Sequence, residues 1–441
     1  MTTPSSPNGA PANLAITTTW EKPFVASSGG EASLLVRIKA AARKPEAGSH
    51  RAPVDVAFVL DRSGSMTGEK LELVKEAVDV AVAHLADEDR AALVIYDHEV
   101  ETLHHLEPAT ARVKTAIRLA LRGIDSGGST NLAGGWLTAC GELSKDEAEG
   151  GRRKAENGEG VRIRRSLLLT DGLANVGMTD GGELAYHAGE LRRRGVTTTT
   201  LGVGLDFDED LLAGMAEAGG GNFQFIARPS ELRAFFAKEL GELLTVVAAG
   251  LTVSLTMPHG VRARLLNLFP VDRQGKRIDV AVRELLPGDD LCLIFALTTR
   301  PSTAGATHLL TLDATWSDPA ADRRQSFSLT LPPLVVADPA TVDQTPPDPE
   351  VAEEAALQRA HAEQREAMRL DRQGRHAESR ALLRESAAAL SAAPMTAQVQ
   401  EHYDLAMHYA AFDASSAYDE TTRKRATHDA HRASRGKRED K

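Results

Sequence analysis

Cysteine is scarce in this chain of 441 residues, with two copies at positions 140 and 292 that are far apart in sequence. Two such residues do not make a disulfide framework, so we expect a reducing, cytoplasmic compartment. Long apolar runs are also missing. The longest candidate, residues 240–257, is interrupted by polar residues and falls short of the ~18 apolar residues of a membrane span. Residues 1–15 lack the basic flank and apolar stretch of a signal peptide, so we predict no membrane partner.

The chain also has no excess of basic residues over acidic ones. The formal net charge of -11 at pH 7 argues against a nucleic-acid partner, because nucleic-acid binders usually carry a basic domain. The hydrophobic content of 42% and the charged content of 26% are those of ordinary globular proteins. A chain of this length is sufficient for about two to four domains, each with its own core.

Three short polar segments of the chain contain carboxylates and hydroxyls: Asp-Arg-Ser-Gly-Ser at 61–65, Gly-Gly-Ser-Thr-Asn at 127–131 and Thr-Asp-Gly at 170–172. The first and third directly follow apolar runs, 54–60 and 166–169, that are typical of buried parallel strands. In an open α/β sheet, ligands gather outside the carboxyl ends of the strands. Oxygen ligands delivered there suit Mg²⁺, Mn²⁺ or Ca²⁺ rather than zinc.

Together these segments resemble the metal-ion-dependent adhesion site of the von Willebrand factor A domain, which has a D-x-S-x-S loop, a threonine on a second loop and an aspartate on a third. The resemblance implies one divalent cation per chain, Mg²⁺ or alternatively Mn²⁺ or Ca²⁺, held by Asp61, Ser63, Ser65, Thr130 and Asp171. The two serines would be direct ligands, and the other three residues would bind directly or through water. One position would stay open for a partner's Glu or Asp. A D-x-S-x-S loop alone is a weak signal, whereas three loops in this order are specific.

The periodicity of the chain predicts an α/β protein with added parts. The predicted regions are a disordered start (1–12), N-terminal strands (13–46), a Rossmann-like, doubly wound von Willebrand factor A domain (52–246), a β-sandwich (250–337) and a helical C-terminal region (350–435). Strand and helix alternate in the third region, whereas apolar residues recur with period 2 in the fourth. The N-terminal strands are expected to complete the sandwich. Dense charges at 145–162 indicate an exposed insertion.

Several other residues invite a functional interpretation. Cys140 lies in a helical pattern and is expected to be a small core residue rather than a nucleophile. The histidines of the C-terminal region, such as His361 and His402, follow no metal-binding spacing and are predicted to lie on the solvated surface. Asp97 and Asp125 fall near the expected metal edge, where they either support the ligands or are ordinary turn residues.

Two functions from different classes fit these observations. The leading hypothesis is a non-enzymatic, cytoplasmic interaction module whose metal captures an acidic residue of a partner protein. The alternative is an accessory subunit of an AAA+ ATPase complex of the MoxR or chelatase kind, which an adjacent ATPase gene would favour. Hydrolysis by this chain is disfavoured because the sequence shows no general base or second metal. The partner, the ion used in the cell, the oligomeric state, any conformational switching and the role of the helical region stay open at this point.

Overall fold

The computed structural model describes residues 13–42, 51–150, 162–243, 245–319, 321 and 323–436. The predicted disordered start, the end of the 13–46 segment and most of the predicted insertion at 145–162 lie outside the described residues. The described chain divides into two compact units. The first contains residues up to 42, residues 247–417 and residues from 433 onward, and the second contains residues between 51 and 246 together with 418–432.

Within the described residues the strands are, in chain order, β1 (Leu14–Trp20), β2 (Phe24–Ala26), β3 (Gly30–Ala40), β4 (Val54–Asp61), β5 (Arg90–Tyr96), β6 (Val100–Pro108), β7 (Ile163–Thr170), β8 (Val196–Val203), β9 (Gly220–Ile226), β10 (Ala249–Thr256), β11 (Val261–Leu265), β12 (Val271–Gln274), β13 (Arg277–Ala281), β14 (Asp290–Thr299), β15 (Thr307–His308), β16 (Thr311–Asp318), β17 (Arg323–Thr330) and β18 (Leu334–Ala337). The helices are α1 (Glu69–His84), α2 (Ala111–Arg122), α3 (Leu132–Gly150), α4 (Gly181–Arg193), α5 (Glu209–Ala218), α6 (Leu232–Leu243), α7 (Pro339–Gln344), α8 (Pro349–Arg372), α9 (His376–Ser391), α10 (Ala397–Ala410) and α11 (Glu420–Ser434).

The second unit is built on a six-stranded sheet with the order β6-β5-β4-β7-β8-β9. Five of its strands are parallel, and the edge strand β6 runs antiparallel to β5. Strand β6 is the edge of the sheet and extends through Pro108. All eight residues of the central strand β4 are buried, as its continuous apolar run predicted. The strand order reverses between β4 and β7, which makes their carboxyl ends the topological switch point of the sheet.

Helix α3 packs on this sheet through its apolar side. Trp136 is fully buried, and its indole Nε1 donates a hydrogen bond to Thr198 Oγ1 on β8 at 3.1 Å. Cys140, one turn later, is also buried, and burial raises the pKa of its thiol to about 12. A thiol that stays protonated is a poor nucleophile, in agreement with the predicted core role. The helix continues to Gly150, into the range that the sequence predicted to be an insertion.

The first unit is dominated by antiparallel strands. Its two larger sheets have the orders β1-β3-β14-β11 and β12-β13-β10-β16-β17, and a smaller one has the order β15-β18-β2. Strand β3 pairs with β14 along ten residues, from Gly30 to Lys39. Buried residues of both larger sheets, including Val36, Val253 and Leu312, belong to one hydrophobic core. The strands that precede and follow the second unit in sequence therefore share a sheet and a core.

Helices α8, α9 and α10 of the first unit form the greater part of the C-terminal helical segment. The prediction that histidines of this segment lie in solvent was wrong for His361, which is 4% exposed. Its Nε2 lies 2.8 Å from Nε2 of His402, because α8 and α10 place these residues side by side although 41 positions separate them. Among the helices that the structure describes, none is long and apolar enough to cross a membrane.

Candidate metal centre

The first pair of site residues comes from the register of two neighbouring strands. Leu60 of β4 lies opposite Leu169 of β7, so the residues that follow them, Asp61 and Thr170, meet at the same edge of the sheet. Thr170 Oγ1 donates a hydrogen bond to Asp61 Oδ2 at 2.6 Å, and the backbone N–H of Ser63 donates to Asp61 Oδ1 at 2.8 Å. Both oxygens of this fully buried carboxylate are thereby held in place.

The serines of the first loop extend this arrangement towards the third loop. Ser63 Oγ lies 3.1 Å from Ser65 Oγ, and Ser65 Oγ donates a hydrogen bond to Asp171 Oδ1 at 2.6 Å. A short 3₁₀ turn at Gly64–Met66 directs the chain so that the second serine faces Asp171. A continuous set of hydrogen bonds therefore joins two loops that are about a hundred residues apart in sequence.

Thr130 lies beside the same group of side chains. A methyl group placed on Gly172 would lie 3.4 Å from Ser65 Oγ and 3.7 Å from Thr130 Oγ1, so both hydroxyls border the small space next to this glycine. The backbone N–H of Thr130 donates a hydrogen bond to Asn175 Oδ1 at 2.8 Å, and the Thr130 carbonyl accepts one from the Asn175 N–H at 3.1 Å. The second and third loops are thus tied together by backbone and side-chain contacts.

Asp97 holds the second loop in place through a hydrogen bond to its backbone. Its Oδ2 accepts a hydrogen bond from the Gly128 N–H at 3.2 Å and lies 3.4 Å from Arg62 Nε. A Cβ on Gly127 would approach that oxygen to 2.2 Å, so this position excludes side chains. Burial alone would raise the pKa of Asp97, but backbone N–H groups and the Arg62 guanidinium outweigh it and hold the pKa below its usual range. Asp97 therefore holds the backbone of the loop that carries Thr130, whereas Asp125 is exposed.

The electrostatics of the centre are those of two buried carboxylates in close proximity. Burial raises the pKa of Asp61, and the neighbouring Asp171 charge adds to that effect, while hydrogen bonds from Ser63 and Thr170 oppose it. The remaining oxygen of Asp171, Oδ2, accepts a hydrogen bond from Lys70 Nζ at 2.6 Å. Two negative charges taken out of water favour a nearby cation, because desolvation is costly for an ion without a partner.

Three residues of this centre were not among the predicted site residues. Thr170 donates a hydrogen bond to Asp61, and Asn175 accepts one from the Thr130 N–H. Lys70 donates a hydrogen bond to Asp171. Thr170 lies inside the third segment, and Lys70 follows the D-x-S-x-S loop by five residues at the start of α1. Their positions were therefore visible in the sequence, but hydrogen-bond partners from other loops could not be deduced from spacing.

The donor set of the centre fits a hard divalent cation. The five predicted residues supply two carboxylates and three hydroxyls, all of them oxygen donors, which suits Mg²⁺, Mn²⁺ or Ca²⁺. Among the residues that the structure describes, no three or more His, Cys, Asp or Glu side chains form a metal-binding group. That finding is compatible with this donor set, because only two of its five members belong to those residue types.

Known proteins resemble parts of this chain, and some of them resemble most of it. Residues 55–238 match the von Willebrand factor type A domain. YfbK of Escherichia coli (strain K12) is 31% identical over 196 residues, 44% of this chain and 32% of that protein. Protein sll0103 of Synechocystis is 26% identical over 307 residues, 66% of this chain and 68% of that protein. The matched part of the chain thus spans about a third of the length of YfbK.

A solved structure shows the same fold over a longer range. The von Willebrand factor type A protein from Catenulispora acidiphila superposes with a TM-score of 0.67 at 18% sequence identity, covering 90% of this chain and 87% of that chain. At this level of identity the likeness concerns the fold.

Proposed function

Residues 55–238 form a von Willebrand factor type A domain, and from this premise we propose that the chain is a non-enzymatic, metal-dependent protein interaction module. The metal centre would capture a Glu or Asp side chain of a partner protein. The observation that carries this proposal is the convergence of Asp61, Ser63, Ser65, Thr130 and Asp171 at the switch point of the sheet. Domains of this type mediate protein–protein interactions, which supports the same conclusion.

The donors explain why an anionic ligand would be attracted. In the proposed site, Ser63 and Ser65 would bind one Mg²⁺ or Mn²⁺ directly, with the two aspartates and Thr130 binding directly or through water. A bound ion would supply an electrophilic position for one further oxygen ligand. Because hydroxyls carry no formal charge, they leave more of the ion's charge uncompensated than carboxylates would. A partner carboxylate is then the ligand that this centre favours.

Exposed apolar side chains on loops at the carboxyl ends of the strands add a surface for the partner. Leu173, two residues after Asp171, is 53% exposed, and Leu205, on the loop after β8, is 39% exposed. Large apolar side chains exposed next to a polar centre are typical of interaction sites. We therefore expect the acidic residue of the partner to be flanked by apolar residues.

Hydrogen bonds hold both carboxylates of the centre in fixed positions, as a binding site requires. Asp61 accepts hydrogen bonds on both oxygens, and so does Asp171, from Ser65 and Lys70. Within the described residues Cys140 and Cys292 are free thiols, which supports the proposed cytoplasmic location.

Metal titration tests the site itself. Isothermal titration with Mg²⁺ or Mn²⁺ should show one site per chain, and Asp61→Ala or Asp171→Ala should abolish binding while circular dichroism stays unchanged. Asp125→Ala is the matched control, because it removes an exposed aspartate near the same edge and should leave binding intact. Equal titration of wild type and both site variants would refute the assignment.

Capture of a partner tests the interaction. Pull-downs in Mn²⁺ and in EDTA should retain a partner only with the metal, and replacing one acidic residue of that partner by alanine should release it. If the captured protein is an AAA+ ATPase of the MoxR or chelatase kind, the accessory-subunit alternative is supported. A partner that binds equally well in EDTA would show that the contact does not involve the metal.

We also propose that the first unit is a β-sandwich completed by the N-terminal strands. Because β3 pairs with ten residues of β14, deleting residues 13–42 should expose one edge of β14 and remove part of the core. Hydrogen exchange in residues 250–336 should therefore increase in the truncated protein. Unchanged protection of these strands would show that the two segments are independent.

A further inference from the structure

Lys70 is the one cationic side chain that the structure places in hydrogen-bond contact with the predicted metal ligands in the described residues. Its Nζ lies 2.6 Å from Asp171 Oδ2, while Ser65 Oγ holds Oδ1 of the same carboxylate. The Lys70 side chain is 28% exposed and Asp171 is fully buried, so water screens this contact only in part. The lysine comes from the first turn of α1, a rigid element immediately after the D-x-S-x-S loop.

The charges at the centre set up a competition. Asp61 and Asp171 contribute two negative charges when ionised, and Lys70 contributes one positive charge. A divalent cation would neutralise the two carboxylates completely, leaving the ammonium as an uncompensated like charge close to the metal. Like charges in a partly buried site repel more strongly than in water. The ammonium and the divalent cation therefore compete for the same carboxylate.

We infer that Lys70 is a built-in competitor of the divalent cation, which lowers the metal affinity of the centre and sets the metal concentration needed for partner capture. This inference rests on the proposed metal-dependent function and adds a regulatory residue to it. When no metal is bound, Lys70 compensates the buried charge of Asp171. When metal binds, the ammonium must leave that carboxylate.

A second carboxylate lies near enough to pair with the Lys70 ammonium when it leaves Asp171. Asp206 Oδ2 lies 3.9 Å from Lys70 Nζ, and its side chain is 73% exposed. Gly204, which has no side chain, lies next to Lys70, and a methyl group there would contact Lys70 Nζ at 3.6 Å. Removing Asp206 should therefore make release of Lys70 from Asp171 less favourable and weaken metal binding, and it should do so only when Lys70 is present.

The test is isothermal titration of the full chain with MnCl₂. Lys70→Met and Lys70→Gln should each lower the Kd for Mn²⁺ by about tenfold, because the competing charge is gone. Lys70→Arg keeps the charge and should stay within about threefold of wild type. Lys75→Met is the matched control: it removes a positive charge from the same helix, but one that pairs with Glu72 at 2.7 Å, and it should not change the Kd.

Thermal unfolding supplies a second readout that does not depend on a partner. In EDTA, Lys70→Met should unfold at a lower temperature than wild type, and saturating Mn²⁺ should raise its unfolding temperature by more than it raises that of wild type. Asp206→Asn should weaken Mn²⁺ binding about threefold, and the same change in the Lys70→Met background should have no effect.

The outcomes separate this inference from the proposed function. If wild type binds Mn²⁺ and Lys70→Met and Lys70→Gln bind it equally or more weakly, the competition is refuted and the metal site stands. If neither wild type nor the lysine variants bind Mn²⁺ or Mg²⁺, the proposed function is refuted and this inference with it. Tighter binding by both lysine variants, with Lys70→Arg and Lys75→Met unchanged, supports it.

Discussion

The second unit buries carboxylates at two places, and the two places differ in the side chains that neutralise the negative charge. Glu209, the first residue of α5, is buried, and its carboxylate accepts hydrogen bonds from Arg423 Nε at 2.5 Å and from Lys424 Nζ at 2.9 Å. Burial alone would raise the pKa of Glu209, but the two cations outweigh it and lower the pKa. For Asp61 the balance is opposite, and burial raises the pKa.

The difference shows how a chain accommodates a buried negative charge. At Glu209 the counter-charges are permanent side chains, so the cluster is complete and its role is structural. At the metal centre most partners of Asp61 and Asp171 are hydroxyls and backbone N–H groups, with Lys70 as the one cation bonded to them among the described residues. Hydrogen bonds stabilise such charges less than a cation does at close range. In the proposed function, a bound divalent cation would compensate the negative charge that these hydrogen bonds leave.

The largest expected effect comes from removing the carboxylate of the complete cluster. Glu209→Gln leaves Lys424 buried without its charge partner, and the unfolding free energy of the second unit should fall by about 3–5 kcal/mol. Urea unfolding, with hydrogen exchange in α5 as a local probe, measures this loss. The double variant Glu209→Leu with Lys424→Met should recover most of it, since it replaces a buried pair by apolar groups. A single variant within about 1 kcal/mol of wild type would contradict a structural role.

At the metal centre the expected effect is a gain that depends on added ion. Mn²⁺ at about 100 times its Kd should raise the unfolding free energy of wild type by about 2.7 kcal/mol, because a ligand that binds only the folded state stabilises it. Asp171→Ala should show no gain. Glu209→Gln should keep the full gain despite its lower stability, and loss of the gain in that variant would show that the two clusters are not independent.

A third buried ionisable group remains neutral. Burial, together with the neighbouring His402, lowers the pKa of His361 to about 3, so the folded state disfavours the charged ring. Its contribution to stability is present above the ordinary pKa of 6.5 and is lost as the pH falls towards 3. The first unit should lose about 1.4 kcal/mol per pH unit below 6.5 from this residue. Thermal unfolding between pH 5 and pH 7 measures the slope, and His361→Leu should reduce it. An unchanged slope would refute this origin.

The smallest expected change in stability is at Thr130. Thr130→Ala removes one hydroxyl from the metal centre and should change the unfolding free energy by no more than about 1 kcal/mol. Its effect on metal binding should be larger, with the Kd for Mn²⁺ rising about tenfold. Thr130→Ser keeps the hydroxyl and serves as the control. Equal Mn²⁺ affinity of wild type and Thr130→Ala would remove this residue from the ligand set.

Local patterns predicted the elements of the second unit well. The predicted alternation of strand and helix is found in the second unit, and the apolar run of β4 was identified as a buried strand. Both follow from periodicity and from signals within a few residues, such as Asp208 capping the first turn of α5. The edge strand β6 was harder to predict, because its register with β5 is irregular and its residues alternate only partly.

Contacts between distant residues could not be predicted. Residues 418–432 belong to the second unit, but no local pattern in the sequence indicates this. Arg423 and Lys424 contact Glu209, which lies more than two hundred positions earlier in the chain. The burial of His361 depends in the same way on α10. Side chains of these types usually lie on the protein surface, and only packing against other elements buries them here.

The sequence by itself determined the type of chemistry at the switch point, because residue types decide which donors are present, and the order of strands and loops decides where they are delivered. Carboxylates and hydroxyls that follow buried parallel strands are donors of the type that a hard cation binds, at the edge of the sheet where ligands gather. Only the tertiary structure decided which charges are already compensated. Lys70 reaches Asp171, and Lys424 reaches Glu209, through packing between segments that no spacing rule relates. The physical reason is that electrostatic energy depends on distance and burial, and both are properties of the folded chain.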